Sequence, residues 1–167
     1  MTWISTDGYD EAHNNLKELS ELHAEKALPA WKRDVVGLYV SILNACDHDA
    51  GQQFAKLCEH ASDEQQANNI LSALETGRPE QVFTGSDLAM LLYAHLLTTR
   101  PSQIDENMID EMRGTGLQDA EILEINQAVA YFSYSNRTVL GLGIAAEDGS
   151  LAEPPTNSDR PKIREHA

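Results

Sequence analysis

The sequence predicts an all-α protein. Apolar residues recur every three or four positions through successive stretches of the chain, which is the spacing of one face of a helix. In contrast, no stretch of four to eight residues alternates apolar and polar residues between turn signals, as a half-buried strand would. The fold therefore needs no β-sheet.

Composition limits the class of protein. The chain has 167 residues, the usual size of one domain. Its 27 acidic residues and 12 Lys or Arg residues give a formal net charge of −15, so nucleic acid and anionic membranes would repel it. No apolar run approaches the roughly 20 residues of a membrane span, and the first residues lack the features of a signal peptide. We therefore expect a cytoplasmic protein without nucleic-acid or membrane partners.

The strongest helical pattern follows Pro29. Two neighbouring rows of apolar residues predict a helix that others surround: Trp31, Val35, Leu38 and Ile42 form one row, and Val36, Tyr39 and Leu43 form the other. A chain this small has few places to bury both rows, so we expect it to self-associate. An amphipathic helix is also predicted before it, from Asp10 to Lys26.

Further helices follow, each with its own start or stop signal. Helical spacing continues after Gly51, and Ser62-Asp63 can cap another helix that ends before Gly77. Thr84 with Asp87 resembles a capping box before a leucine-rich helix. A short helix from Asp105 to Met112 and a long last helix ending at Gly141-Leu142-Gly143 complete the domain. We assign residues 1–144 to one helical domain and residues 145–167, rich in Pro and acidic residues, to an extended tail.

Reactive residue types crowd together directly after the central helix. The segment from Asn44 to Asp49 contains Cys46 and His48, and the chain has neither a glycine-rich phosphate loop nor a dense set of metal ligands. A helix start and a protonated His48 would both favour the thiolate of Cys46, whereas the neighbouring aspartates would disfavour it. Cys46 is therefore either a reactive thiol or a small buried core residue.

Three stretches of the chain resemble a known family. They are similar to segments of the peroxidase-related branch of the alkylhydroperoxidase D (AhpD) and carboxymuconolactone decarboxylase superfamily. The three stretches are Leu28 to Cys46, Leu88 to Pro101, and the run Ala130-Tyr131-Phe132 with Ser135-Asn136-Arg137-Thr138-Val139-Leu140-Gly141-Leu142-Gly143. The resemblance implies an AhpD-like all-helical bundle, assembly into homo-oligomers, and a thiol peroxidase or related redox site of antioxidant defence. We expect no cofactor and no bound metal.

The resemblance also implies a particular site. Its pattern is Cys-x-x-Cys, followed four residues later by His and preceded by Glu twelve residues before the first Cys. In such a site, Glu and His activate one thiol, and the second thiol converts the resulting sulfenic acid to a disulfide. In this chain the four positions hold Cys46, Asp49, Gln53 and Asp34. Asp49 cannot form a disulfide and the amide of Gln53 does not titrate near neutral pH, so the standard two-cysteine cycle is unavailable.

Three hypotheses remain open from the sequence. The chain is a degenerate member that acts as a binding or structural protein, or a one-cysteine thiol oxidoreductase that uses Cys46 with an external thiol. In the third, Asp34, His48 and Asp49 form a rebuilt acid–base or metal site. Cys58 does not rescue the cycle, because one helix between the two cysteines would separate them by roughly 18 Å. No small-molecule ligand can be named from the sequence.

Other polar residues have structural explanations. We expect His48 to be a surface residue and His95 to be a core histidine with a satisfied hydrogen bond, and His13, His23 and His60 lie on predicted polar faces. Arg137 lies in an apolar helix, where we expect it to be buried and paired with an acid or a helix C-terminus.

Overall fold

A computed structural model describes residues 27–143, and within that range every regular element is helical. Six α-helices follow one another, with single 3₁₀ turns at Pro79–Gln81 and Pro101–Gln103: α1 Ala30–Leu43, α2 Asp47–His60, α3 Glu64–Glu75, α4 Gly85–Thr99, α5 Glu106–Gly114 and α6 Asp119–Leu142. The predicted all-α class is confirmed. The helix predicted from Asp10 to Lys26 and the tail predicted for residues 145–167 lie outside the described residues.

Helix α1 is the centre of the bundle, as its two apolar rows predict. Every residue from Val35 to Ser41 is buried, and α1 packs against α2, α3, α4 and α6. Its closest approach to α6 depends on Gly37, because a Cβ atom there would lie 2.5 Å from the ring of Phe132. Glycine therefore lets the aromatic ring rest directly on the backbone of α1.

A tight turn joins α1 to α2. The N–H of Cys46 donates to the carbonyl of Ser41 at 2.9 Å, and the N–H of Ala45 donates to the carbonyl of Ile42 at 3.0 Å. This pair of bonds is a Schellman motif, which places its next-to-last residue in the left-handed region, and Ala45 has a φ of 54°. The turn delivers Cys46 to the position that precedes α2.

Several helix ends follow the predicted signals. Asp63 and Asp105 cap α3 and α5 by accepting from the N–H groups of Gln66 and Met108, at 2.8 and 3.1 Å. Helix α6 ends at Gly143, which has a φ of 63°. The predicted capping box at Thr84 is wrong, because Thr84 makes no side-chain cap bond and Asp87 instead pairs with Lys32 of α1 at 2.6 Å.

Polar bonds inside the bundle link α1 to α4 and α6. The buried carboxylate of Glu124 accepts from the N–H of Leu28 at 2.7 Å and faces Arg33 at 3.4 Å, which fixes the chain where it enters α1. The Tyr39 hydroxyl lies 3.0 Å from Nδ1 of His95. His95 is thus half-buried with a satisfied hydrogen bond, as predicted.

The expectation for Arg137 is wrong. Its side chain is exposed and donates to the carbonyl of Ser133, one turn earlier on the same helix, at 2.9 Å. The preceding residues Ser135 and Asn136 are the polar ones that this part of α6 buries. Among the described residues, no helix is long and apolar enough to span a membrane.

Candidate thiol site at the start of α2

Cys46 occupies the N-cap position of α2 and is almost completely enclosed. Its exposed fraction is 1%, and it is a free cysteine. The preceding Schellman turn fixes its backbone, and its carbonyl accepts the first bond of α2 from Ala50 at 3.0 Å. The sequence correctly places Cys46 at a helix start, and the structure adds that the thiol is not open to solvent.

Burial controls the acidity of this thiol. Loss of solvation raises the pKa of Cys46 from 9.0 to about 11, and the negative charge of Asp49 adds to the rise. Hydrogen bonds from the Asp49 backbone and the Asn136 side chain act in the opposite direction, since they stabilise a thiolate, but burial outweighs them. At pH 7 a thiol with this pKa is ionised in about one molecule in 10,000.

Asp49 is the acceptor at the centre of a buried polar network. Its Oδ2 atom accepts from Ser135 Oγ and from Asn136 Nδ2, both at 2.8 Å. Asn136 also donates to Ser41 Oγ at 3.0 Å, and its own Oδ1 accepts from Asn44 at 3.0 Å. The Asp49 carboxylate therefore joins α2 to α6 and, through Asn136, to the end of α1.

Gln53 lies one turn after Asp49 on the same buried face of α2. It is 5% exposed, and its Oε1 atom has no hydrogen-bond partner. His48 lies beside this face and is half-buried, with Nε2 accepting from Gln52 at 3.0 Å. The expectation that His48 is a surface residue is thus correct only in part, because its Nδ1 atom is enclosed.

Asp34 lies at the other end of α2. It pairs with Nε2 of His60 at 3.3 Å, and His60 is the last residue of that helix, about 20 Å along its axis from Cys46. Burial raises the pKa of Asp34, while Lys56 and His60 lower it. The structure does not bring Asp34 together with His48 and Asp49, because α1 and α2 form an antiparallel hairpin.

The described residues do not assemble a metal centre or a second thiol. Between positions 27 and 143, no group of three or more His, Cys, Asp or Glu could hold a metal ion. Cys58 is exposed and lies on α2 twelve residues after Cys46, which corresponds to about 18 Å of helix. That separation is far beyond the approximately 7 Å limit between the Cα atoms of a disulfide.

Sequence reasoning missed the residues that hold Asp49. Ser41, Asn44, Ser135 and Asn136 lie within the stretches that resemble the family, but none of them belongs to its Cys-x-x-Cys pattern. The sequence offers one signal for Asn136, because a polar side chain on an otherwise apolar helix face needs a buried hydrogen-bond partner. Sequence reasoning also assigned no role to His60, which pairs with Asp34.

No protein-family model and no curated protein matches the chain by sequence. Solved structures match by fold. A peroxidase-related protein with an AhpD core from Ralstonia eutropha JMP134 gives a TM-score of 0.73 at 18% identity, covering 86% of this chain and 73% of its own. A putative antioxidant defence protein AhpD from Agrobacterium tumefaciens gives 0.71 at 19% identity, covering 87% and 97%.

A third similar structure extends the range of chemistry. It is a debrominase, with one cysteine replaced by alanine, in complex with 2,3,4-tribromopyrrole, and it gives a TM-score of 0.67 at 14% identity, covering 86% of this chain and 73% of its own. All three comparisons agree on the architecture. The chain therefore has the AhpD-like helical fold, and the resemblance inferred from its sequence is confirmed at the level of fold.

Proposed function

We propose that this chain is a peroxidase-related protein of the AhpD-like fold that does not reduce hydroperoxides by the two-cysteine cycle and serves as a binding or structural protein. The observation that carries the proposal is the state of Cys46. Its thiol is 1% exposed and its pKa is about 11, and the position of the second cysteine holds a carboxylate bonded to Ser135 and Asn136.

The chemistry of the cycle shows what is lacking. A thiolate attacks the O–O bond, which gives a sulfenic acid and an alcohol, and a second thiol then displaces water to form a disulfide. The first step needs an accessible thiolate, which burial of Cys46 opposes. The second step needs a neighbouring thiol, and Asp49 cannot supply one.

The fold alone does not decide the reaction. The similar structures include proteins described as peroxidase-related and a debrominase, so one helical bundle is associated with more than one chemistry. The proposal therefore depends on the residues of this chain at the site. It also places the protein in a reducing compartment, the cytoplasm, which agrees with two free cysteines.

A second candidate function is a one-cysteine thiol oxidoreductase. It is favoured by the two hydrogen bonds that reach Cys46 from the Asp49 backbone and the Asn136 side chain, because these would stabilise a thiolate once formed. In this alternative a hydroperoxide oxidises Cys46 to a sulfenic acid, and an external thiol forms a mixed disulfide and releases water.

One experiment separates the two candidates. Hydroperoxide consumption is measured with a small dithiol reductant for the parent and for Cys46→Ser, and the oxidation state of Cys46 is followed by mass spectrometry. For the proposed function, the parent consumes no more peroxide than Cys46→Ser, and Cys46 stays reduced. Turnover that Cys46→Ser abolishes, together with sulfenic acid at Cys46, would overturn it in favour of the one-cysteine enzyme.

A further inference from the structure

A row of largely exposed residues follows the outer side of α6. Its members recur three or four positions apart and therefore share one face: Leu123, Gln127, Ala130, Tyr134 and Arg137. We call these five residues the α6 outer row. Leu123 is 55% exposed and Tyr134 is 40% exposed. Helix α6 has no acidic residue after Glu124, so Arg137 is the single charge of the row.

Gln127 is the member of this row that is least exposed. Its side chain is half-buried, and its Oε1 atom is shielded from water without a hydrogen-bond partner among the described residues. A shielded acceptor is unfavourable unless a donor reaches it. The α6 outer row therefore offers a partner both apolar surface and an unused acceptor.

The end of the helix predicted at residues 10–26 is tied to the start of this row. The N–H of Leu28 donates to the carboxylate of Glu124 at 2.7 Å, and Glu124 is the neighbour of Leu123. Lys26 precedes Leu28 by two residues, which span at most about 7 Å. Four other helices already surround α1, so the open surface beside this anchor is the outer side of α6.

The short connection to α1 sets the direction of the segment. Helices α1 and α6 run the same way, because Arg33 meets Glu124 at one end and Gly37 meets Phe132 further along both helices. Only residues 27–29 separate the predicted helix from α1, and two helices joined by about two to five residues form an antiparallel hairpin. A helix at residues 10–26 would therefore run antiparallel to α6 as well.

The length of the segment matches the length of the row. Seventeen residues in a helix are about 25 Å long, and the α6 outer row extends about 21 Å from Leu123 to Arg137. With Lys26 level with Leu123, antiparallel packing puts Leu19 level with Ala130. The apolar residues of the segment recur at helical spacing and can pack along the row: Ala12, Leu16, Leu19 and Leu22.

Charge and covalent connection both favour the chain's own segment over a second molecule. The same register brings Asp10 and Glu11 beside Arg137, the single charge of the row. A short connection keeps the segment at an effective concentration on the order of millimolar, whereas a second copy at micromolar concentration must reach the row from solution.

We propose that residues 10–26 form a helix that packs antiparallel on the α6 outer row, with Leu19 against Ala130 and the acidic start of the segment against Arg137. This helix closes the side of α6 that α1, α2, α4 and α5 leave open. The inference goes beyond the proposed function and does not involve Cys46, so its tests and the peroxide assay can fail separately.

Amide hydrogen exchange of the full chain, measured by mass spectrometry on peptides from residues 10–26, is the first test. We expect these amides to be protected in the parent. Ala130→Glu places a charge under Leu19 and should raise their exchange rates by about tenfold or more. Leu140→Glu is the control, because Leu140 is 44% exposed on α6 but lies outside the row, and it should leave the rates unchanged. An unprotected segment in the parent, or protection that Ala130→Glu does not alter, overturns the proposal.

The second test measures the register with a disulfide. In a Cys58→Ser background, Leu19→Cys with Ala130→Cys should form a bridge within one chain under mild oxidation, identified by peptide mass spectrometry and a non-reducing gel. Leu19→Cys with Leu140→Cys should form none, because ten residues along α6 correspond to about 15 Å. A bridge between two chains at these positions would mean that a second copy covers the row. Either that result or the absence of any bridge between residues 19 and 130 overturns the proposal.

Discussion

Asn136 Nδ2 lies 2.8 Å from Asp49 Oδ2, a hydrogen bond that joins the last turns of α6 to the first turn of α2 across 87 positions of sequence. The same amide reaches Ser41 Oγ, and the Asn136 side chain also bonds to the Cys46 thiol. One amide group thus contacts both the Asp49 carboxylate and the Cys46 thiol. The candidate site is therefore also a structural junction of three helices.

Removing the Asp49 carboxylate should destabilise the protein. Asp49→Ala leaves the buried donors of Ser135 and Asn136 without their acceptor, which should lower the free energy of unfolding by about 2–4 kcal/mol. Urea unfolding followed by circular dichroism measures this loss. Glu59→Ala is the control, because Glu59 is exposed on the same helix and its removal should cost less than about 0.5 kcal/mol. Equal effects would show that Asp49 contributes no more than a surface acid.

The left-handed residue before Cys46 offers a stabilising substitution. Ala45 has a φ of 54°, which costs a residue with a Cβ atom about 1–2 kcal/mol. Ala45→Gly should therefore raise the free energy of unfolding by about 0.5–1 kcal/mol. Ala55→Gly, at an exposed position inside α2, should lower it by a similar amount, because glycine is unfavourable in a helix interior. If both glycines destabilise equally, the turn is not strained.

Stability should fall at alkaline pH because of Cys46. Its pKa is about 11 in the folded protein and 9.0 for an ordinary thiol, so the unfolded chain loses this proton first as the pH rises. The contribution of the protonated Cys46 thiol to the free energy of unfolding is therefore complete below about pH 9 and is lost as the pH rises through 11. The slope is at most about 1.4 kcal/mol per pH unit. Urea midpoints from pH 7 to 11 should fall less steeply for Cys46→Ala than for the parent. Parallel curves would contradict the raised pKa.

The contact between Gly37 and Phe132 predicts a steric coupling. Gly37→Ala places a Cβ atom 2.5 Å from the ring, so the ring or α1 must move, at a cost of about 1–3 kcal/mol. Gly37→Ala should cost less in a Phe132→Leu background, because the smaller side chain leaves room for the methyl group. Thermal unfolding of the two single variants and the double variant measures the coupling. Strictly additive effects of the two substitutions on stability would mean that α1 and α6 move apart enough to admit the Cβ atom without contact with the ring.

The sequence predicts the helices well and their mutual contacts poorly. Local signals suffice for α1, for the cap at Asp63 and for the position of Cys46, because each depends on residues within one or two turns. The partners of Asp49 could not be found in this way, because Ser135 is 86 positions away. Helical periodicity gives the buried face of each helix but not which residues of two helices meet.

The same limit explains the placement of Asp34. Counting residues puts it at the Glu position of the resembled family, twelve before Cys46. The hairpin of α1 and α2 instead brings it to His60, at the end of α2 remote from the thiol. The metal hypothesis depended on Asp34 meeting His48 and Asp49, which the two helices do not allow.

Introducing the residues of the resembled pattern tests whether their absence alone explains the inactivity that we propose. In Asp49→Cys with Gln53→His, the new thiol lies three residues after Cys46 at a helix start, within disulfide reach, and the imidazole follows one turn later on the same face. Asp34→Glu only completes the pattern of the resembled family, because residue 34 lies beside His60 at the far end of α2 and cannot reach the thiol. The triple variant should form a bridge from Cys46 to the introduced thiol and consume hydroperoxide with a dithiol reductant, measured by mass spectrometry and peroxide assay.

The control for this gain is Asp49→Ser with the other two changes, which removes the carboxylate without adding a thiol and should stay inactive. The triple variant also loses the acceptor for Ser135 and Asn136, so it should unfold at a lower urea concentration than the parent. Formation of the disulfide under oxidising conditions should offset part of this loss of stability. If the bridge forms and peroxide consumption stays at the level of the control, then the burial of Cys46, rather than the missing second thiol and histidine, keeps this site inactive.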